Sequence, residues 1–270
     1  MNEGSMNESI PVLMYHSVSE NPTAATRRLS VDPGALDRQV AFLAQNGYTG
    51  MTFSHLADAL AGGGKPLPEK PVVLTFDDGY ADFAQVAWPI LRSHDFPATV
   101  FVTSGWIDDA GTNAAGHPLG PMLNWAQVRE LASAGVEIGA HSHSHAQLDQ
   151  CADAALCDEL RLGRILLEDC VGTPVRSLAY PFGYSTPRVR VAARAAGYRC
   201  AASVRNIRAT ASGDPFMIPR LTIRRSTDDN DFASIMSGDK QFYLRDRVLT
   251  AGYATVRGAR RAGRRVVRHG

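Results

Sequence analysis

The run Val72-Val73-Leu74-Thr75-Phe76-Asp77-Asp78-Gly79-Tyr80 decides the fold. Five apolar or β-branched residues read as a buried strand, and Gly79 breaks it. Two adjacent carboxylates fall where that strand leaves the core. Neighbouring strand residues face opposite sides, so Asp77 and Asp78 are expected to do different jobs. Taken alone, Asp-Asp-Gly is an ordinary helix cap. A second run, His141-Ser142-His143-Ser144-His145, turns the reading towards chemistry.

Outward from this strand, short apolar runs alternate with helical patterns. Ile10 to Tyr15 is a strand that ends at His16. Asp32 caps a helix with Pro33 in its first turn, Leu36, Val40 and Leu43 form its stripe, and Asn46-Gly47 ends it. Tyr48 to Phe53 reads as a strand and Ser54 as the cap of a helix to Leu60. Phe83 to Ser93 reads as a helix, Ala98 to Val102 as a strand, and Asp108 to Gly120 as a long loop. Asn124 caps Trp125 to Ala134, and Val136 to Ala140 delivers His141. Asp153 to Cys170 is helical, Leu178 to Tyr180 leads into Pro181-Phe182-Gly183, and Gly197 closes the helix Pro187 to Ala196. Cys200 to Val204 and Ile218 to Ile223 complete the strands.

This alternation, without repeat or linker, predicts an α/β fold with a mainly parallel sheet in a single domain. Every candidate group stands at or just after a strand: His16, Asp77, Asp78, His141, His145, Pro181-Phe182-Gly183 and Arg220. So many strands contributing to one face favours a barrel over an open sheet with one crevice.

Bulk properties agree with a globular enzyme: 270 residues, 44% hydrophobic and 20% charged. Net charge is +1, yet residues 244–270 hold eight arginines against one acid, Asp246. Four cysteines (Cys151, Cys157, Cys170, Cys200) make neither a CxxC pair nor a disulfide scaffold. The first nine residues are polar, lack the apolar core of a signal peptide and are expected to be disordered. No stretch approaches a membrane span. A cytoplasmic protein is expected.

His141 and His145 are four apart, so a helical turn after the strand would aim both imidazoles at one metal ion. With Asp78 they make a three-ligand set that leaves a position for water, as in catalytic zinc sites. Asp77 would then be the base. His143 is assigned a structural role.

Thr75-Phe76-Asp77-Asp78-Gly79 and His141-Ser142-x-x-His145, about sixty residues apart, resemble the first two motifs of the polysaccharide deacetylases, the NodB-homology domain of carbohydrate esterase family four. The resemblance covers roughly residues 10–223. It implies a distorted (β/α)7 TIM-like barrel that removes acetyl groups from sugars with zinc or another divalent metal (cobalt, nickel or manganese). It assigns Asp77 as general base and Asp78, His141 and His145 as metal ligands. The third motif is only partly present. Pro181-Phe182-Gly183 matches, which implies that the Phe182 N–H faces an oxyanion, but Ala179 and Tyr180 stand where an arginine is usual. Arg220 is expected to replace it from another strand. A Leu-x-x-His near the C-terminus is also missing. The opening Val12-Leu13-Met14-Tyr15-His16 instead resembles the biofilm poly-N-acetylglucosamine deacetylases, which implies that His16 is the acid.

The expected function is metal-dependent hydrolysis of the N-acetyl group of an amino sugar in a glycan or glycan precursor. Two other readings compete: an amidase of non-sugar amides or ureides, as in allantoinases and imidases, and a catalytically silent glycan binder. Tyr80 and Tyr184 flank the motifs and are candidate substrate contacts, whereas Trp88, Trp106 and Trp125 read as core or rim. The barrel is expected over 10–243, followed by a basic tail over 244–270. Leu249, Tyr253, Val256 and Ala259 give that tail an amphipathic pattern suited to an anionic membrane surface. Nothing else supports nucleic-acid binding.

Overall fold

The computed structural model describes residues 9–113, 117–239, 241–244 and 246–247. Of the expected disordered start only Ser9 is described. Of the basic tail only Leu244, Asp246 and Arg247 are, so its amphipathic helix lies outside the described residues. Among the described residues no helix is long and apolar enough to cross a membrane.

In chain order the strands are β1 (Val12–Tyr15), β2 (Ser17–Val18), β3 (Ser30–Val31), β4 (Thr49–Met51), β5 (Pro71–Phe76), β6 (Thr99–Val102), β7 (Glu137–Ala140), β8 (Ser177–Ala179), β9 (Cys200–Val204) and β10 (Ile218–Thr222). The helices are α1 (Pro33–Gln45), α2 (Phe53–Leu60), α3 (Trp88–Ser93), α4 (Trp125–Ser133), α5 (Asp153–Val171), α6 (Pro187–Ala195) and α7 (Asp229–Ser237).

Seven parallel strands close a ring in the order β1-β10-β9-β8-β7-β6-β5, because β1 bonds to both β10 and β5. β4 stands outside that ring. It takes the lower edge of β5, at Pro71 to Val73, while β6 takes the upper edge at Thr75 and Phe76. This shared edge distorts the (β/α)7 TIM-like barrel, which forms a single domain.

Period-2 alternation divides the core into two layers. Leu13, Tyr15, Leu74, Phe76, Val100, Val102, Ile138 and Leu178 pack outward against the helices. Val12, Val73, Phe101, Ala179, Ala202 and Ile218 fill the barrel. Both faces of β5 are therefore covered, which is why its sequence is a continuous apolar run. Along the inner face of β7 come Glu137, Gly139 and then, past the strand, His141. A Cβ at Gly139 would lie 2.5 Å from the Phe101 ring, so the glycine makes room for Phe101.

Several boundaries differ from the sequence expectations. α2 is capped by Thr52, whose hydroxyl accepts from His55 N–H, so β4 stops at Met51. The Phe83 to Ser93 helix opens with a π turn, Phe83–Ala87, before α3. Pro89 lacks an N–H for the regular ladder and crowds the carbonyl four residues back, which widens that turn. The stretch expected to be a loop from Asp108 begins within a 3-10 coil, Ser104–Asn113. α7 has no counterpart in the sequence reading. An Asp228/Asp231 capping box starts it and left-handed Gly238 ends it.

Candidate active site and metal centre

Asp77 continues the inward series Val73, Thr75 and reaches the mouth of the barrel at the C-terminal ends of the strands. Alternation would send Asp78 outward to the helices. Its left-handed backbone, at φ 76°, prevents this and turns the side chain into the same cavity. Both carboxylates are buried. Arg220, fully buried on β10, grips Asp77 with two nitrogens: Nη1 to Oδ1 at 2.5 Å and Nη2 to Oδ2 at 2.7 Å. Nη1 also donates to Thr75 Oγ1 at 3.1 Å, and the Thr75 hydroxyl donates to Leu13 O. Burial raises the Asp77 pKa, but Arg220, with His141 and His16, outweighs it and holds the carboxyl below its ordinary value.

His141 extends the β7 ladder through its N–H to Val102 O at 2.8 Å. Its Nδ1 lies 2.8 Å from the Ala179 carbonyl, so Nδ1 carries the proton and Nε2 presents a lone pair to the cavity. Ser142 and His145 both adopt left-handed backbone, at φ 62° and 57°. The segment is a turn held at both ends, not the helical turn that the four-residue spacing suggests. The turn still brings the two imidazoles together, with ring centres 4.9 Å apart. His143 points elsewhere and bonds Ser104 Oγ through Nδ1 at 3.0 Å.

Nε2 of His141 and Nε2 of His145 each lie 3.3 Å from Asp78 Oδ1. Despite those neighbours, that buried oxygen receives no hydrogen bond. The three donor atoms lie within 4.8 Å of one another. Ligands about 2.0–2.2 Å from a tetrahedral ion stand about 3.3–3.6 Å apart, so the set fits a metal ion. Burial raises the Asp78 pKa, but the two imidazoles reverse this and leave it well below the ordinary carboxylate range. His141 shows the complement: burial lowers its pKa, and Asp77 and Asp78 raise it above the usual value.

The donors open into a cleft of about 710 Å³. His16, Tyr80, Trp106, Phe182, Asn206, Arg224 and Asp246 are among the residues that line it. Burial lowers the His16 pKa against the pull of Asp78 and Asp77. Phe182 is 50% exposed, in a left-handed turn at φ 60°. It meets His145 edge-on at 4.7 Å and stacks on Tyr184 at 5.9 Å. Trp106 packs on the other side of His145 at 5.0 Å. Pro181, which precedes Phe182, is buried.

The structure thus brings together His16, Asp77, Asp78, His141, His145, Phe182 and Arg220, while Pro181 and Tyr184 adjoin Phe182 and are not among the residues that line the cleft. Sequence reading passes over Met14, whose signal is its place two residues before His16 on one strand face. It also passes over Arg224 and Asp246, which pair at 2.7 Å on the cleft wall; nothing local in the sequence marks that pair.

The family model for polysaccharide deacetylases matches residues 64–201. A poly-beta-1,6-N-acetyl-D-glucosamine N-deacetylase of Escherichia coli (strain K12) is 38% identical over 153 residues, 53% of this chain and 22% of that protein. An enzyme of the same name from Staphylococcus aureus is 22% identical over 188 residues, 66% of this chain and 62% of that one. The chain therefore spans less than two thirds of the length of these relatives. The solved deacetylase PplD of Streptococcus pyogenes, in complex with acetate, superposes with a TM-score of 0.74 at 25% identity, covering 85% of this chain and 98% of that one. With just over half of its sequence matched by the family model, the chain belongs to the polysaccharide deacetylase family.

Proposed function

We propose that the chain hydrolyses the N-acetyl group of an amino sugar in a glycan or glycan precursor and releases acetate. One observation carries the reading: an Asp-His-His donor set, its buried Asp78 Oδ1 without a hydrogen bond, shares its cleft with a second carboxylate clamped by an arginine. Family membership and the activity named for the Escherichia coli relative support it.

Asp78, His141 and His145 would hold a divalent ion, zinc being the expected one, which when bound polarises the acetyl carbonyl and lowers the pKa of water. Asp77 takes a proton from the attacking water. Arg220 holds both Asp77 oxygens, which keeps the carboxylate ionised and stops it rotating. The Phe182 N–H, set by its turn after Pro181, faces the oxygen on which charge develops. His16 gives its proton to the nitrogen as the C–N bond breaks. Its lowered pKa makes the imidazolium a stronger acid. The hydroxyl of the water ends in acetate and the sugar keeps a free amine. Tyr184, stacked on Phe182, extends an aromatic face for the sugar ring.

The test is acetate release from N-acetylglucosamine oligomers by protein stripped of metal and reloaded with zinc or cobalt. Release should require metal and fall by about 10²–10⁴-fold in Asp77→Asn, with a comparable loss in His16→Ala. Metal bound stoichiometrically without any release would overturn the reading.

A further inference from the structure

The His141 to His145 turn is held from two sides. Ser104 and Gly105 donate backbone N–H groups to the carbonyls of Ser142 and His143, at 3.4 and 2.7 Å. On the other side stands Glu159 of α5. Its Oε2 accepts from His143 N at 3.1 Å and from Ser144 N at 2.9 Å, and its Oε1 accepts from Ser144 Oγ. One carboxylate thus satisfies three donors of the segment that joins the two imidazoles.

One turn further along α5, Gly163 lets the helix come this close. A Cβ there would lie 2.8 Å from the Ser142 carbonyl carbon and 3.1 Å from His143 N. The turn also includes two non-glycine residues in left-handed backbone, Ser142 and His145, a conformation that persists only where its surroundings impose it. Glu159 reaches the turn through backbone N–H groups alone at His143, so no change in the imidazoles themselves would replace it.

We propose that Glu159 is a positioning residue for the metal centre, holding His145 at its distance from Asp78 and His141 before any ion arrives. Gly163 supplies the close approach that lets it do so. The proposal rests on Asp78, His141 and His145 being the metal ligands. A carboxylate suits the task because it accepts from three converging donors, all of which an alanine would leave without it. A glutamine would keep its oxygen on the two N–H groups and let the Ser144 hydroxyl accept from its NH₂, so it is too mild a change to test the role.

The experiment is zinc affinity by competition with a chromophoric chelator, with the absorption spectrum of the cobalt-loaded protein as a geometric readout. It compares wild type, Glu159→Ala, Glu159→Asp, Gly163→Ala and Asp78→Asn. Glu159→Ala and Gly163→Ala should weaken zinc about 10–100-fold, the usual cost of losing a group that orients a ligand. Glu159→Asp should recover part of the affinity, and both weakened variants should show altered cobalt bands. Glu137→Gln, remote from the turn, is the control for lost stability, and its zinc affinity should equal that of wild type. Wild-type affinity and spectrum in both Glu159→Ala and Gly163→Ala would overturn the proposal. Unchanged zinc binding in Asp78→Asn would instead show that the ligand assignment is wrong, and the proposal would fall with it.

Discussion

The two mouths of the barrel each hold a carboxylate site, and β7 reaches both, with half-buried Glu137 at one end and His141 past the other. At the N-terminal mouth, Glu137 is fully served. Ser54 N and Thr99 Oγ1 donate to Oε2 at 2.9 and 2.8 Å, and Ser54 Oγ and Ser177 Oγ donate to Oε1 at 2.5 and 2.6 Å. It also sits at the N-terminus of α2, where the helix dipole favours a negative charge. At the opposite mouth, Asp77 is balanced by one arginine and Asp78 Oδ1 is left without a donor. Glu137 is half-buried and fully served, whereas Asp77 and Asp78 are more deeply buried and less well served. A buried carboxylate with a full set of donors stabilises the fold, whereas one left short costs stability unless something else binds there.

The strongest way to break this contrast is to remove the counter-charge. Arg220→Ala leaves Asp77 buried with only Thr75 and the histidines near it. Deleting one partner of a buried pair costs about 3–5 kcal/mol. Urea denaturation should show a loss of that size, and acetate release should disappear, because Asp77 is then free to rotate. Arg220→Lys should recover little, since a lysine cannot bond both carboxylate oxygens in the plane of the pair. Near wild-type stability and turnover in Arg220→Ala would mean that Asp77 is not held as described.

At the other mouth the same kind of substitution should separate stability from chemistry. Glu137→Gln keeps the shape but offers one acceptor oxygen to four donors. The expected cost is about 1–3 kcal/mol of stability, with turnover per folded molecule unchanged. A large fall in turnover at full occupancy of the folded state would show that the two ends are coupled through β7, and the contrast would fail.

How much of this was legible in the sequence follows from how local each feature is. The β5 run, the two motifs, the start of α6 at Pro187 and its stop before Gly197 depend on neighbouring residues and are readable. The bounds of β9 matched at both ends. Arg220 was expected to replace the missing motif arginine, but its grip on Asp77 depends on the β10–β1–β5 register, which links residues 143 apart. The conformation of the His141–His145 turn was misjudged because spacing of four suggests a helix. Nothing in Ser142 or His145 advertises left-handed backbone; α5 imposes it from outside. α7 was passed over although Asp228 and Asp231 form a capping box, because its apolar positions, Phe232, Ile235 and Met236, make a short stripe.

Asp82 sharpens the comparison, since it stands between the two states. Its Oδ2 accepts from Ser17 Oγ at 2.5 Å, next to His16, while its Oδ1 is buried without a donor. Burial pushes its pKa up, and the Ser17 hydroxyl and Val18 N–H pull it only part of the way back. The folded protein therefore keeps this proton to a higher pH than the unfolded chain, whose aspartates titrate near 3.9. The stability from the protonated form is fully present below about pH 3.9 and is lost as pH rises through the folded value. Asp82→Asn carries no such titration. Its stability relative to wild type should climb between about pH 3.9 and the raised folded pKa and then level off, whatever constant offset the lost acceptor adds. This is the smallest effect expected here, and urea midpoints for the two proteins from pH 3.5 to 7 would measure it. Parallel curves would mean that the hydrogen bonds from Ser17 and Val18 fully offset burial, placing Asp82 with the satisfied acid at the other mouth.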